Sequence, residues 1–192
     1  MSAGKPLPLT APLSAEAVEL LRAGDRVLLG GVLYTGRDAA HRRLFELLRR
    51  GEALPVDLRG QVIYYVGPTP APPGRPIGAA GPTTAGRMDA YTPALLAYGL
   101  RAMIGKGMRS PQVVEAIVRY HAVYLAGMAG AGALMASCIR QAEVAAYPDL
   151  GPEAIYRLVV EEMPLIVIND CLGNDLYRSA PEQWRRPGKE RP

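Results

Sequence analysis

The stretch Gly81 to Asp89, Gly-Pro-Thr-Thr-Ala-Gly-Arg-Met-Asp, sets two hydroxyls, pliable backbone and a fixed cation within one loop. Glycine such as Gly81 lets backbone amides approach a ligand closely, Thr83 and Thr84 add donors, and the planar fork of Arg87 matches a carboxylate or a phosphate. A second segment, Tyr34-Thr35-Gly36-Arg37-Asp38-Ala39-Ala40-His41, places another arginine just before an amphipathic helix pattern. A third cation, Lys106, stands between Gly105 and Gly107 after a short apolar run. The two arginines suggest a pair of cations gripping one doubly charged substrate.

The elements that must hold these loops follow from periodicity and punctuation. Ser14 to Ala23 reads as a short helix with Ser14 as N-cap, apolar positions Val18, Leu20 and Leu21, and Gly24 as its stop. Val27 to Leu33 is a nearly unbroken apolar run, expected to be a buried strand that delivers the chain to Arg37. From Asp38 to Arg50 the spacing of Ala40, Leu44, Leu47 and Leu48 gives one apolar face, with Asp38 as the expected N-cap and Gly51 as the stop. Gln61 to Val66 is rich in β-formers, and Ala102 to Ile104 is a second short strand. Thr92-Pro93 and Ser110-Pro111 each carry the hydroxyl-then-proline signature of a helix start. Further on, a strand is expected near Ala122 to Leu125, a helix near Ala133 to Gln141, a strand at Glu143 to Tyr147 and a last apolar run at Leu165 to Ile168. Strands alternating with helices predict an α/β domain with a largely parallel central sheet, because parallel strands need crossover connections. Active loops should then gather near strand ends.

Composition narrows the field. At 192 residues, with 49% hydrophobic and 21% charged residues, the chain suits one folded domain rather than two or a disordered chain. The ends look loose: Pro6, Pro8 and Pro12 crowd the first thirteen residues, and everything after Trp184 is Arg, Pro, Gly, Lys and Glu. Flexible segments are therefore expected over 1–13 and 179–192. The net charge of +4 is dispersed, without the basic stripe or aromatic platform of a nucleic-acid binder, so a small anion is the better partner. Ala122 to Cys138 has no charged residue but is shorter than the roughly 20 residues that span a bilayer. Cys138 and Cys171 lack metal-ligand spacing, and no secretory leader precedes them, which implies a cytoplasmic protein with reduced thiols.

Taken in order, Tyr34 to His41, Gly81 to Asp89, Gly105-Lys106-Gly107 and Val167-Ile168-Asn169-Asp170 resemble the β subunit of class I fumarate hydratases. The same pattern marks the C-terminal domain of single-chain members and the L-tartrate dehydratase β subunits, and it covers about Ser14 to Tyr177. The resemblance implies a swivelling β/β/α fold, a catalytic domain over 14–178, and reversible addition of water to fumarate to form L-malate. It implies a four-iron four-sulfur cluster ligated by three cysteines of a partner α subunit, so no metal ligand is expected from this chain. A homo- or hetero-oligomer containing that partner follows. Carried onto matching positions, the family roles make Arg37, Arg87 and Lys106 the residues that hold the substrate carboxylates and Thr83 the catalytic base. Thr84 joins the substrate-binding set as a nearby hydroxyl, and Asp38, His41 and Gly81 become supports, with His41 expected to touch the substrate or Asp38. Gly36 and Ala85 depart from the alanine and serine frequent in relatives, and neither departure favours fumarate over tartrate or a methylated fumarate.

Plainer roles exist for each residue. Arg37 and Arg87 could clamp a helix end or loop carbonyls, Lys106 could be solvated, and the threonines could cap a turn. A stand-alone anion-binding module that uses Gly-Pro-Thr-Thr as a phosphate nest is the alternative from another class. No Lys-Ser or Lys-Thr follows the last glycine of that loop, as a Walker-type phosphate loop would require. Asn169-Asp170 with Gly173-Asn174-Asp175 lacks the ligand ladder of a calcium loop and reads as a turn.

Overall fold

The computed structural model describes residues 5–127, 130–183 and 185. In chain order the elements are β1 (Leu7–Ala11), α1 (Ala15–Glu19), β2 (Arg26–Thr35), α2 (Asp38–Arg50), β3 (Val62–Tyr64), α3 (Thr92–Tyr98), β4 (Ala102–Gly105), α4 (Pro111–Arg119), β5 (Val123–Ala126), α5 (Gly132–Ser137), β6 (Ile139–Ala146), β7 (Ile155–Asn169) and α6 (Leu176–Gln183). Two 3-10 turns, Ala85–Met88 and Pro148–Glu153, complete the set.

Strands β3, β4 and β5 are short and buried on both faces. Val62 and Tyr64 point into one apolar cluster and Ile63 and Tyr65 into another, and Ile104 and Met103, Leu125 and Tyr124 divide in the same way. This is the period-two alternation of a strand with helices on one side and sheet on the other, which explains why these segments read as continuous apolar runs. The second cluster lies under α2, α3 and α4, which contribute Leu44, Leu95, Leu96 and Ile117. Each such fully buried leucine or isoleucine contributes about 1.5–3 kcal/mol.

The sheet corrects the expectation of a largely parallel arrangement. β1, β2, β3, β4 and β5 pair in parallel, but β7 runs antiparallel to β2, β5 and β6, and the β2–β7 pairing closes the strands β2-β3-β4-β5-β7 on themselves. A strand has only two edges, so closure demands length. β7 offers one edge to β2 and divides the other between β6, along its first half, and β5, along its second. The apolar run at Leu165 to Ile168 is thus only the end of a fifteen-residue strand. β6 likewise begins at Ile139, and the helix expected to continue to Gln141 stops at Ser137, because pairing with β7 overrides local helical pattern.

The expectation of a flexible segment over 1–13 is corrected for residues 5–13, while 1–4 lie outside the described residues. Leu7–Ala11 lies parallel to β2, with Leu9, Ala11 and Leu13 in the core. Prolines are compatible with this because β1 is an edge strand, where a missing N–H can face outward. The approach is close: Gly31, at φ +96°, has Ala11 O only 2.2 Å from where a Cβ would stand. α1 is shorter than expected and leaves Leu20 exposed, although Ser14 caps it by accepting from Ala17 N at 3.2 Å. At the other end Ser179 to Gln183 is helical rather than loose, and Trp184 and 186–192 lie outside the described residues. No helix among the described residues is long and apolar enough to cross a membrane.

Candidate active site

The carboxyl ends of β2, β3 and β4 lie side by side, and the expected site residues follow them. Arg37 comes two residues after β2, Lys106 directly after β4, and the connection from β3 to α3 carries Thr83, Thr84 and Arg87. That connection is held against the end of β4. Thr83 N–H donates to Tyr65 O at 2.7 Å, Lys106 N–H to Thr83 O at 3.1 Å, and Ala85 N–H to Lys106 O at 2.8 Å. Thr84 and Lys106 thus form a single parallel bridge, with Thr84 and Lys106 exposed and Thr83 half-buried. The 3-10 turn that follows presents Arg87.

Asp38 joins the two arginines. Arg87 grips it as a fork, Nε donating to Oδ1 at 2.9 Å and Nη2 lying 2.7 Å from Oδ2, while Arg37 Nε is 3.9 Å from the same Oδ2. Asp38 was expected to cap α2, but the cap comes from far along the chain: Glu153 Oε2 accepts from Ala39 N–H at 3.0 Å. Glu153 Oε1 also lies 3.6 Å from Arg37 Nη2. An acidic group near a helix N-terminus satisfies a free N–H and the helix dipole together, and its supply by Glu153 frees Asp38 to face Arg87. Sequence reasoning missed Glu153, since nothing local marks a residue 114 positions away. Buried Thr35 secures it: its hydroxyl donates to Ala154 O at 3.2 Å and accepts from Tyr156 N–H at 2.9 Å.

Arg37 is boxed in by close backbone. A Cβ at Gly67 would lie 2.5 Å from Arg37 Nη1 and 3.3 Å from Pro152 O, so only glycine leaves the guanidinium its place. His41 lies beneath, fully buried, and its Nδ1–H donates to Arg37 O at 2.9 Å. Its ring meets Tyr65 edge-on at 5.2 Å and Tyr91 at 6.5 Å. Burial pushes its pKa down to about 4, against the opposing effect of the bond to Arg37. The imidazole is therefore neutral near pH 7 and directed at the Arg37 backbone rather than at Asp38. Gly81 stands apart from these contacts, packed toward Gly132 at the start of α5.

Neither thiol fits a cluster. Cys138 and Cys171 are buried, with sulfurs turned to Leu134 O and Val18 O respectively, and burial raises both thiol pKa values. Among the described residues no group of three or more His, Cys, Asp or Glu is placed to hold a metal ion. A cavity of about 370 Å³ between the proline-rich 68–77 loop and Gly151-Pro152 contains none of the three cations. Arg87 and Lys106 lie outside it and are exposed, and Arg37 is half-buried.

Residues 2–180 match the family model described as fumarase C-terminus. The chain belongs to that family. It is 42% identical over 155 residues to the anaerobic class I fumarate hydratase of Escherichia coli K12, covering 80% of this chain and 28% of that protein. It is 40% identical over 156 residues to fumarate hydratase 2 of Leishmania major, with the same coverage of 80% and 28%. The chain thus spans about 28% of the length of these fumarase relatives. A relative of its own size is the putative L(+)-tartrate dehydratase subunit beta of Methanocaldococcus jannaschii, 36% identical over 171 residues, 86% of this chain and 88% of that one.

Proposed function

We propose that this chain is the β subunit of an iron-sulfur hydro-lyase that interconverts fumarate and L-malate, acting in the cytoplasm with a partner α subunit that carries the four-iron four-sulfur cluster. Its catalytic domain, of the swivelling β/β/α type, takes in β1 as well as residues 14–178. The observation that carries this reading is the convergence of Arg37 and Arg87, from separate loops, on one carboxylate at the carboxyl ends of adjacent strands. That carboxylate belongs to Asp38, and a guanidinium fork that receives one carboxylate in this way is built to receive another.

Arg37, Arg87 and Lys106 hold the two substrate carboxylates. In the dehydration direction the carbon beside one carboxylate loses a proton, and charge moves onto oxygens held by these cations, where fixed donors stabilise it most. Thr83 is assigned that proton, its hydroxyl made a competent base by the surrounding positive charge. The C–O bond at the neighbouring carbon breaks with its electron pair on oxygen, and the departing hydroxide takes up a proton from solvent to leave as water. The pair left on the deprotonated carbon forms the double bond of fumarate, and Thr83 then returns its proton to solvent. Cys138 and Cys171 do not suit the cluster, which the partner would hold and which would supply Lewis-acid chemistry there.

L-tartrate dehydration is the second reading, favoured by the match in length to the tartrate dehydratase β subunit. Tartrate presents the same two carboxylates to the same cations.

The test is an anaerobic assay of the chain alone and of the chain assembled with its cluster-bearing partner, using fumarate and tartrate in parallel. Activity is expected only in the assembly, and the preferred acid names the enzyme. Thr83→Val should lower the rate about 100-fold, the lower range for a lost general base. A stable, cluster-loaded complex that turns over no dicarboxylate would point to the anion-binding module instead.

A further inference from the structure

Arg109 is a buried cation that no step above uses. Only 4% of it is exposed, and a charge so placed is costly unless it is paired and hydrogen-bonded. Its Nε donates to Asp89 Oδ1 at 2.8 Å, its Nη2 to Thr92 Oγ1 at 2.8 Å, and its Nη1 to the Tyr65 phenol oxygen at 3.4 Å. The rings of Tyr65 and Tyr124 flank the guanidinium at 5.4 and 5.0 Å. Asp89 Oδ2 accepts from Ser110 N–H at 2.6 Å.

Each member of this pair sits at the root of a candidate substrate contact. Asp89 ends the loop two residues after Arg87, and Arg109 follows Lys106 by three. Above them the two strands of chain share only the Thr84–Lys106 bridge, too short a ladder to fix the loop unaided. Tyr65 extends the connection, because Thr83 hangs from its carbonyl and His41, which holds the Arg37 backbone, packs on its ring.

We propose that the Arg109–Asp89 pair is a positioning clasp that sets Thr83, Arg87 and Lys106 relative to one another and, through Tyr65 and His41, relative to Arg37. Neither residue of the pair needs to touch substrate. What the placed cations bind rests on the hydro-lyase reading; the placement itself does not.

Amide hydrogen exchange on the full chain tests the clasp without any assay of turnover. In Asp89→Asn the amides of Ala85, Lys106 and Ser110 should exchange about tenfold faster or more, while β2 and β7 keep wild-type protection. Arg109→Lys, which keeps the charge but loses the fork, should fall between the two. Thr92→Val removes one acceptor of Arg109 and leaves the pair, so it should give the same pattern at smaller amplitude even if the charge variants fail to fold. Unchanged protection at Ala85 and Lys106 in the variants that fold, or a loss spread evenly over the sheet, overturns the proposal. In the assembled enzyme Asp89→Asn should raise KM for the dicarboxylate about tenfold and lower kcat as well, because the base and the cations are displaced together. A Leu29→Val variant of equal Tm should leave KM alone, and an equal KM shift in the two would reduce the clasp to ordinary stability. Absence of turnover in every version, wild type included, would sink the hydro-lyase reading while the exchange pattern still decides the clasp.

Discussion

The two ends of the parallel strands carry the same kinds of side chain in different company. At the carboxyl ends Arg37 and Arg87 face the carboxylates of Asp38 and Glu153, with His41 buried under them. At the amino ends, around a hollow of about 350 Å³, Arg101 and Arg119 accompany Glu19 and an exposed His121. There Arg101 Nη1 donates to the carbonyls of Tyr120 and His121, and Arg119 lies over the Tyr120 ring at 5.6 Å. Helix α4 ends at that rim, and Arg101 serves the carbonyls of its C-cap Tyr120 and of the next residue, His121, while Arg119 only stacks. At the other rim α2 begins, its free N–H is met by Glu153, and the arginines are left to the side-chain carboxylates of Asp38 and Glu153. Charge alone does not distinguish the proposed site from the opposite rim; the polarity of the backbone beside the charge does.

This contrast can be broken. The largest effect should come from Arg37→Ala or Arg87→Ala in the assembled enzyme, each lowering kcat/KM about 1,000-fold, or ~4 kcal/mol, as for loss of a transition-state donor. Far-UV circular dichroism should stay that of wild type, since Arg37 precedes α2 without capping it by a side-chain bond and Arg87 lies in one short 3-10 turn. Arg101→Ala, by contrast, should leave kcat/KM at the wild-type level, and a comparable loss there would erase the distinction between the rims.

The histidines sharpen it. Burial holds His41 down to about 4, while the unfolded chain takes up a proton near pH 6.5. Between those values the unfolded state binds more protons than the folded one, so stability is full above about pH 6.5 and falls as the pH drops toward 4. The His41 contribution to that loss is about 3 kcal/mol. Urea unfolding across this window should show the loss in wild type and in His121→Asn, and a flatter slope in His41→Gln. A flat wild-type curve would mean that the ring is not sealed as described. Smallest is the stability cost of Arg101→Ala, about 1 kcal/mol for bonds that water can partly replace, read as a small drop in Tm.

Local chemistry made much of this protein legible in its sequence. Ser110 caps α4 by accepting from Val113 N–H, Gly51 ends α2, and apolar runs mark β2 to β5, because caps, stops and strand faces are decided within a few residues. Arg37, Arg87, Lys106 and the two threonines stood out for the same reason, as reactive side chains in loops after strands. Their ordered motifs also carried the family. What the sequence could not decide by itself was the closing of the sheet by β7, the anchoring of β1, the capping of α2 by Glu153 and the pairing of Arg109 with Asp89. Each joins segments far apart along the chain, and each depends on which edges and buried charges remain unmatched once the other elements have packed. Only the tertiary structure settles that competition.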